Sequence, residues 1–150
     1  MPFHLDVDKE GMHIGNYKNE PRTYQLQKKK ARDTLNDAKT MFNKVTLFTT
    51  VNRIYYAIFY EVLALLLTKD LSSSKHSWVI ALFNREFVKP GMVKEKYADF
   101  YGKMFDFRQE VDYGDFVEFE KDKVKCWLDE AEEFVDEIEK IISKIIEERK

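Results

Sequence analysis

Three polar clusters contain the residue types that could do chemistry in this chain, and each of them lies beside an otherwise apolar helical pattern. They are Asn52-Arg53, Lys75-His76, and Arg108 with Asp112 and Tyr113. The first two clusters open apolar segments, and helix N-termini and cationic groups attract anions. The clusters therefore predict a cleft that binds a phosphate, with tyrosines that stack on a base.

Arg108 also has a purely structural interpretation. It occupies one position of an apolar stripe, and a buried charge is costly unless it is paired. An internal salt bridge would meet that need, with Glu61 or Asp112 as the partner. The residue types alone leave both interpretations open.

Motifs of the common metal, phosphate-loop and nucleophile sites are missing from the sequence. The histidines His4, His13 and His76 stand in no HExxH context, and the single Cys126 excludes a CxxC pair and an internal disulfide. The opening DVDKEG resembles the start of a calcium loop, but Tyr17 stands at the twelfth position, where that loop needs a carboxylate. Without a glycine-rich loop or a GxSxG turn, we expect no metal and no cofactor.

Helices must position these clusters. The 150 residues include only 5 Gly and 3 Pro, which favours a few long helices over many short strands. Apolar residues recur at steps of four and three in three segments, which run from Ala31 to Val45, from Tyr97 to Val111 and from Val124 to Ile145. We predict a first helix that starts at Pro21 and four more that span roughly residues 47–69, 75–87, 93–111 and 120–148. Ser74 is the predicted N-cap of the third helix, residues 75–87. This pattern is typical of an all-α, up-down bundle of four to five helices with a long C-terminal helix.

The charges are balanced overall but unevenly distributed. The net charge of −2 argues against a general electrostatic coat for nucleic acid. Residues 1–50 carry 9 basic and 6 acidic side chains, whereas residues 120–150 carry 7 and 11. We therefore expect the basic first helix and the acidic last helix to attract each other, within one subunit or between two.

The boundaries suggest one helical domain. Residues 1–20 are polar and lack periodicity, so we interpret them as a tail and residues 21–150 as the domain. The most apolar run, Ile54 to Leu67, is 14 residues long, whereas a membrane span needs about 20. With no apolar signal segment at the start and a single cysteine, we expect a cytoplasmic protein without a membrane anchor.

The residues around the polar clusters also carry a family resemblance. The strings NRIYYAIFYEVLALLL, SKHSWVIALFNREFVKPG and FRQEVDYGDFVEF follow one another in this order. They resemble the HEPN domain (higher eukaryotes and prokaryotes nucleotide-binding), and more narrowly its small stand-alone archaeal and bacterial members of unassigned function. The resemblance covers roughly residues 28–140. It implies an HEPN-like all-α bundle that is usually a homodimer and often has a minimal nucleotidyltransferase partner in a toxin–antitoxin pair.

Many HEPN toxins are metal-independent ribonucleases, and their signature is an Arg followed a few residues later by a His. Arg108 matches the arginine, but Tyr113, Gly114 or Asp115 stands where the histidine is expected. A phenol, with a pKa of about 10, is a poor general base at neutral pH. The resemblance therefore implies that the chain binds a nucleotide or RNA phosphate around Arg108. A degenerate ribonuclease that uses Arg108 with His76 or Tyr113 and a purely structural bundle that docks a partner are the alternatives, so enzymatic activity stays open.

Overall fold

The computed structural model describes residues 5–7, 12–15, 21–44, 46–112 and 118–149. For residues 5–7, 12–15, 21–23, 111 and 112 it describes the backbone alone. The helices are α1 (Pro21–Lys44), α2 (Leu47–Leu67), α3 (His76–Phe83), α4 (Glu95–Asp112) and α5 (Lys121–Glu148). One π-helical turn, Asn84–Val88, extends α3. Three short strands are β1 (Leu5–Val7), β2 (Met12–Gly15) and β3 (Leu71–Ser73). The predicted all-α bundle with a long last helix is confirmed.

The central element is α2. Its N-cap is Thr46, whose Oγ1 accepts a hydrogen bond from the backbone N–H of Thr49 at 3.2 Å, a cap worth about 1 kcal/mol. By length and composition alone α2 could cross a membrane, but 67% of its most apolar window is buried inside the bundle. It is therefore the core helix of the domain, as a helix that is apolar nearly all round should be.

The other long helices surround α2 in an up-down arrangement. A short connection makes α1 antiparallel to α2 and packs it along the length of that helix. Phe119, just before α5, lies near Phe48 at the start of α2, and Arg149 after α5 donates to the carbonyl of Thr68 at the end of α2. These two contacts make α5 parallel to α2. Because Phe107 of α4 contacts Trp127 near the start of α5, α4 runs antiparallel to both.

The predicted apolar stripes face this core. Leu35 of α1, Met104 of α4 and Val135 of α5 are each fully buried. The other central positions of the three stripes are buried as well; they are Ala31, Ala38, Tyr97, Tyr101, Val124, Leu128, Ala131, Ile138 and Ile142. Burying side chains of this size contributes roughly 1.5–3 kcal/mol for each large one, so the stripes hold the bundle together.

The expected attraction between the first and last helices occurs within the chain. Arg32 of α1 lies 3.3 Å from a carboxylate oxygen of Glu132, 2.9 Å from one of Asp136 and 3.0 Å from one of Glu139, all on α5. Lys39 reaches Glu132 as well, at 3.0 Å. The basic face of α1 is thus engaged with the acidic face of α5.

Two details of the local structure differ from the sequence prediction. Ser74 is not the N-cap of α3: that position is Lys75, and the side chain of Ser73 accepts a hydrogen bond from the Lys75 N–H at 3.1 Å. The sequence also predicts no strand, yet β1, β2 and β3 form an antiparallel sheet in that order. Residues 1–20, interpreted as a tail, thus supply two strands that pair with the segment between α2 and α3. Asp70, with φ of 57°, makes the sharp turn into β3.

Candidate functional site

Two neighbouring tyrosines of α2 form the centre of the candidate site. Tyr55 is fully buried and Tyr56 is half-buried. Their ring centroids are 5.2 Å apart and their planes meet at 81°, so the two rings form a corner. The corner opens where the C-terminal half of α4 and the first residue of α3 approach α2.

Arg108 of α4 occupies this corner. Its guanidinium carbon lies 5.3 Å from the centroid of the Tyr55 ring and 5.6 Å from that of the Tyr56 ring. Each contact of this kind is worth about 0.5–2 kcal/mol, and the negative ring faces stabilise the cation without using its N–H donors. The antiparallel packing of α4 on α2 places the arginine here. A half-buried guanidinium with a planar fork of donors is well suited to a phosphate.

A second arginine reaches the same tyrosine from α2 itself. The guanidinium carbon of Arg53 lies 5.2 Å from the centroid of the Tyr56 ring. Its Nε and Nη2 donate to Oδ1 of Asn52 at 3.2 and 2.7 Å. The side chain of Asn52 thereby restrains the guanidinium of its neighbour.

His76 joins the cluster through Tyr55. A hydrogen bond of 2.7 Å connects the Tyr55 hydroxyl to Nδ1 of His76, and the imidazole stacks on Phe59 with a centroid distance of 4.1 Å and an interplanar angle of 15°. These contacts fix the ring plane. The Tyr55 hydroxyl thus engages Nδ1 of the imidazole.

A small pocket adjoins the corner. It is lined by Phe48, Val51, Asn52, Tyr55, Met104, Phe107, Arg108 and Phe119. Its volume of about 40 Å³ suits a few water molecules. A larger molecule would therefore lie across the opening and would not be enclosed.

The structure brings together four of the seven candidate residues: Asn52, Arg53, His76 and Arg108. Lys75 is exposed, and no contact joins its side chain to them within the described residues. For Asp112 only the backbone is described, and Tyr113 lies outside the described residues. The expected stacking of a tyrosine on a base stays a prediction for Tyr113. Tyr55 is buried, and guanidinium groups lie over the rings of both Tyr55 and Tyr56.

The predicted alternative of an Arg108–Glu61 salt bridge is also wrong. Glu61 faces α1 and α5, where Lys28, Arg32 and Glu139 act on its carboxyl group, whereas Arg108 lies at the tyrosine corner. Glu61 is fully buried, and among the described residues neither of its oxygens has a hydrogen-bond partner. Burial, reinforced by the charge of Glu139, raises the pKa of Glu61 to about 8. This carboxyl group is therefore mostly protonated at neutral pH.

Sequence reasoning missed three aromatic residues of the site. Tyr55 connects His76 to Arg108, Phe59 supports the imidazole, and Phe48 lies at the pocket rim with 46% of its surface exposed. The polar clusters drew attention because they interrupt apolar patterns, whereas these aromatics fit the pattern of a core helix. The aromatic run directly after Asn52 and Arg53 is the signal that could have found Tyr55 and Phe59, whereas no sequence signal marks Phe48.

Metal ligands do not converge in this region. Across residues 24–110 and 118–149, no group of three or more His, Cys, Asp or Glu side chains lies close enough to hold a metal ion. The chemistry that the site can support comes from arginine, histidine and amide groups. Binding of an anion and proton transfer by His76 are both within their reach.

Comparison with known proteins gives this geometry a family context. The family model described as the HEPN domain matches residues 24–141. A Thermotoga maritima protein named "UPF0332 protein" is 52% identical over 118 residues, which cover 79% of this chain and 89% of the relative. Two Methanocaldococcus jannaschii proteins, each named "Putative toxin", are 37% and 33% identical; the matches cover 77% and 78% of this chain and 86% and 80% of the relatives.

Proposed function

The chain belongs to the HEPN domain family, and on that premise we propose that it binds the phosphate of a nucleotide or of RNA at the cleft formed by Asn52, Arg53, His76 and Arg108. The function is toxin-like, in keeping with the names of two relatives. We place it in the cytoplasm, where such ligands are available.

One observation carries the proposal: Arg108, on an otherwise apolar stripe, contacts two tyrosines that also hold His76 and a second arginine. Three helices contribute to this cluster, so its polar groups converge only in the folded state. Two guanidinium groups beside one ring concentrate positive charge at the cleft, and this charge attracts an anionic ligand.

Isothermal titration calorimetry with AMP, ATP and an eight-residue oligouridylate tests the proposal. We expect one of these ligands to bind the wild-type protein and Arg108→Gln to weaken that binding at least tenfold. Arg85→Gln is the matched control, because Arg85 is an exposed arginine paired with Glu86 on the π-helical turn, away from the cleft. Absence of binding, or equal binding by Arg108→Gln, would contradict the proposal and favour a purely structural bundle.

A ribonuclease is the second candidate, and the position of His76 favours it. The expected histidine after Arg108 is missing, but α3 supplies an imidazole that shares Tyr55 with this arginine. In such a reaction the ribose 2′-OH loses its proton and attacks phosphorus. The bond to the 5′ oxygen breaks, and that oxygen takes up a proton, which leaves a 2′,3′-cyclic phosphate. His76 would transfer a proton and Arg108 would stabilise the charge on phosphorus.

Incubation of the protein with total RNA in EDTA tests this second candidate. We expect cleavage by the wild-type protein that His76→Gln and Arg108→Gln each reduce at least a hundredfold. Arg85→Gln should cleave like the wild type. Cleavage retained in both site variants, or no cleavage at micromolar protein, would exclude this candidate and leave binding as the function.

The proposal includes two protein partners. A second copy of the chain would form a homodimer and cover Phe48, which is exposed beside the pocket. A minimal nucleotidyltransferase would act as the antitoxin. Light scattering after size exclusion tests the first, with a mass of twice 18.0 kDa expected. Growth of cells that express the chain with and without a minimal nucleotidyltransferase from the same genome tests the second, with arrest expected only without it.

A further inference from the structure

Two arginines from different helices share one tyrosine ring, and this arrangement says more about the ligand than either arginine alone. We propose that the cleft holds two anion subsites, one at Arg108 and one at Arg53, and that its ligand therefore presents two neighbouring phosphates. The inference rests on the proposed function and deepens it. It gives Arg53 a phosphate of its own, with Asn52 as its support, and assigns the ligand by the number of phosphates that it presents.

The two guanidinium groups occupy separate positions. Arg108 contacts both rings of the tyrosine corner, at 5.3 Å from the Tyr55 centroid and 5.6 Å from that of Tyr56. Arg53 approaches only Tyr56, at 5.2 Å, and makes no comparable contact with Tyr55 among the described residues. The fixed rings thus hold one cation inside the corner and the other outside it. Each position can receive its own anion.

Asn52 makes the outer subsite rigid. Its Oδ1 accepts from both Nε and Nη2 of Arg53, so the edge that bears these two nitrogens faces the asparagine. The remaining donors of the guanidinium, on Nη1 and the far side of Nη2, are those that can reach a phosphate. A side chain fixed in advance loses less entropy when the ligand binds. Asn52 is thus a positioning residue.

The two subsites lie close enough together for one phosphate chain to reach both. Since both guanidinium carbons lie within 5.6 Å of the same ring centroid, their separation is at most the sum of the two distances to that centroid. The internucleotide phosphates of RNA and the phosphate chain of a nucleoside triphosphate share this chemistry. Because the tyrosine faces are covered by cations, the subsites contact the phosphates and leave the bases unread.

The salt dependence of RNA binding tests the two subsites. We would measure fluorescence anisotropy of a labelled eight-residue oligouridylate between about 50 and 300 mM salt, a range over which the Debye length shortens. For a single strand, each neutralised phosphate contributes about −0.7 to the slope of log K against log salt. We expect Arg53→Gln and Arg108→Gln each to make the slope less negative by about 0.7, with the double variant near 1.4.

If both guanidinium groups bound one phosphate, removal of either would leave that phosphate neutralised, and the slope of each single variant would stay unchanged. That result overturns the two-subsite proposal while leaving phosphate binding intact, provided that Arg108→Gln still weakens affinity. If Arg108→Gln instead bound the oligouridylate as tightly as the wild type, the proposed function itself would be contradicted. Arg85→Gln, measured alongside, should match the wild type in slope and affinity. Unchanged thermal unfolding of each variant confirms that it is folded.

Two further arms identify the source of the phosphates and the role of Asn52. Competition with ATP and AMP distinguishes the sources: a nucleotide site should favour ATP at least tenfold in the wild type and lose that preference in Arg53→Gln. An RNA site should bind the oligomer far better than either nucleotide. Equal affinity for AMP, ATP and the oligomer would overturn the proposal. Asn52→Ala should weaken the preferred ligand severalfold without changing the salt slope, because the charge of Arg53 remains.

Discussion

Two fully buried polar side chains on α2, Tyr55 and Glu61, lie less than two helical turns apart but differ in their hydrogen bonding. The hydroxyl of Tyr55 is hydrogen-bonded to His76, and Arg108 lies over its ring. The carboxyl group of Glu61 has no hydrogen-bond partner among the described residues, although Arg32 is near enough to influence its pKa. Arg32 instead binds three carboxylates of α5.

The difference shows how one helix can support a site at one place and tolerate an electrostatic cost at another. Around Tyr55, side chains from α3 and α4 satisfy the polar group and hold it in one geometry. Around Glu61, the packing of α1 and α5 excludes water, and the carboxyl group stays protonated, which lowers the free-energy cost of burying it. Both arrangements give predictions.

The largest expected effect comes from Glu61→Gln. Its folded pKa of about 8 lies above an unfolded value near 4.5. The folded state therefore holds this proton more tightly, and the stability that the protonated group supports declines as the pH rises from about 4.5 through 8. Gln cannot ionise, so the variant should gain roughly 2–4 kcal/mol over the wild type at pH 7–8 and almost nothing at pH 4.5.

Urea unfolding at pH 4.5, 6 and 8 measures this difference. The charges that face Glu61 are Lys28 and Arg32 from α1 and Asp136 and Glu139 from α5. Both proteins contain these four side chains, so their own titration cancels in the difference between wild type and variant. Glu130→Gln, at an exposed position of α5, serves as the control and should follow the wild type. A constant difference between wild type and Glu61→Gln across this range would show that Glu61 is not held as an acid.

A second prediction concerns the competition between Glu61 and α5 for Arg32. Arg32→Gln removes the contacts to Glu132, Asp136 and Glu139 and should cost about 1–2 kcal/mol in the free energy of unfolding, since these contacts are only partly buried. This loss of stability should be smaller at high salt. The substitution should also raise the pKa of Glu61 further, because the charge of Arg32 lowers that pKa. Lys29→Gln, which removes an exposed pair with Asp33, is the control and should leave stability unchanged.

The third prediction breaks the satisfied side of the comparison. Tyr55→Phe removes only the hydroxyl that is bonded to His76 and should destabilise the protein by about 1 kcal/mol. The pH titration of His76, followed by NMR of its ring protons, should shift with it. Tyr60→Phe provides a half-buried control on the same helix. An unchanged His76 titration in Tyr55→Phe would show that the two side chains are not coupled in solution.

The smallest expected effect on stability belongs to Arg108→Gln. Each tyrosine contact of this half-buried guanidinium should be worth about 0.5 kcal/mol, the low end for contacts of this kind, so the free energy of unfolding should change by about 1 kcal/mol at most while ligand binding is lost. Thermal unfolding beside the calorimetric titration measures both. A marked drop in melting temperature without any ligand response would instead identify Arg108 as a structural residue.

The sequence predicts the bundle well and the site only in part, for physical reasons. Regular spacing of Leu35, Met104 and Val135 with their neighbours determines which helix faces are buried, and those helices lie where periodicity placed them. The pairing of β2 with β3 depends on residues far apart in sequence, which periodicity does not detect. The rotation of α2 is equally invisible, because this helix is apolar nearly all round, so Glu61 could be mistaken for a partner of Arg108.

The arginine side chains themselves give the most direct test of the phosphate cleft. NMR spectra of the Nε–Hε groups would be recorded while an unlabelled eight-residue oligouridylate is added to the wild-type protein. We predict that the signals of Arg53 and Arg108 shift together and saturate at one oligouridylate per cleft, while the signals of Arg32 and Arg85 do not shift. Equal small shifts of all arginines, or no shift of Arg108, would contradict the account.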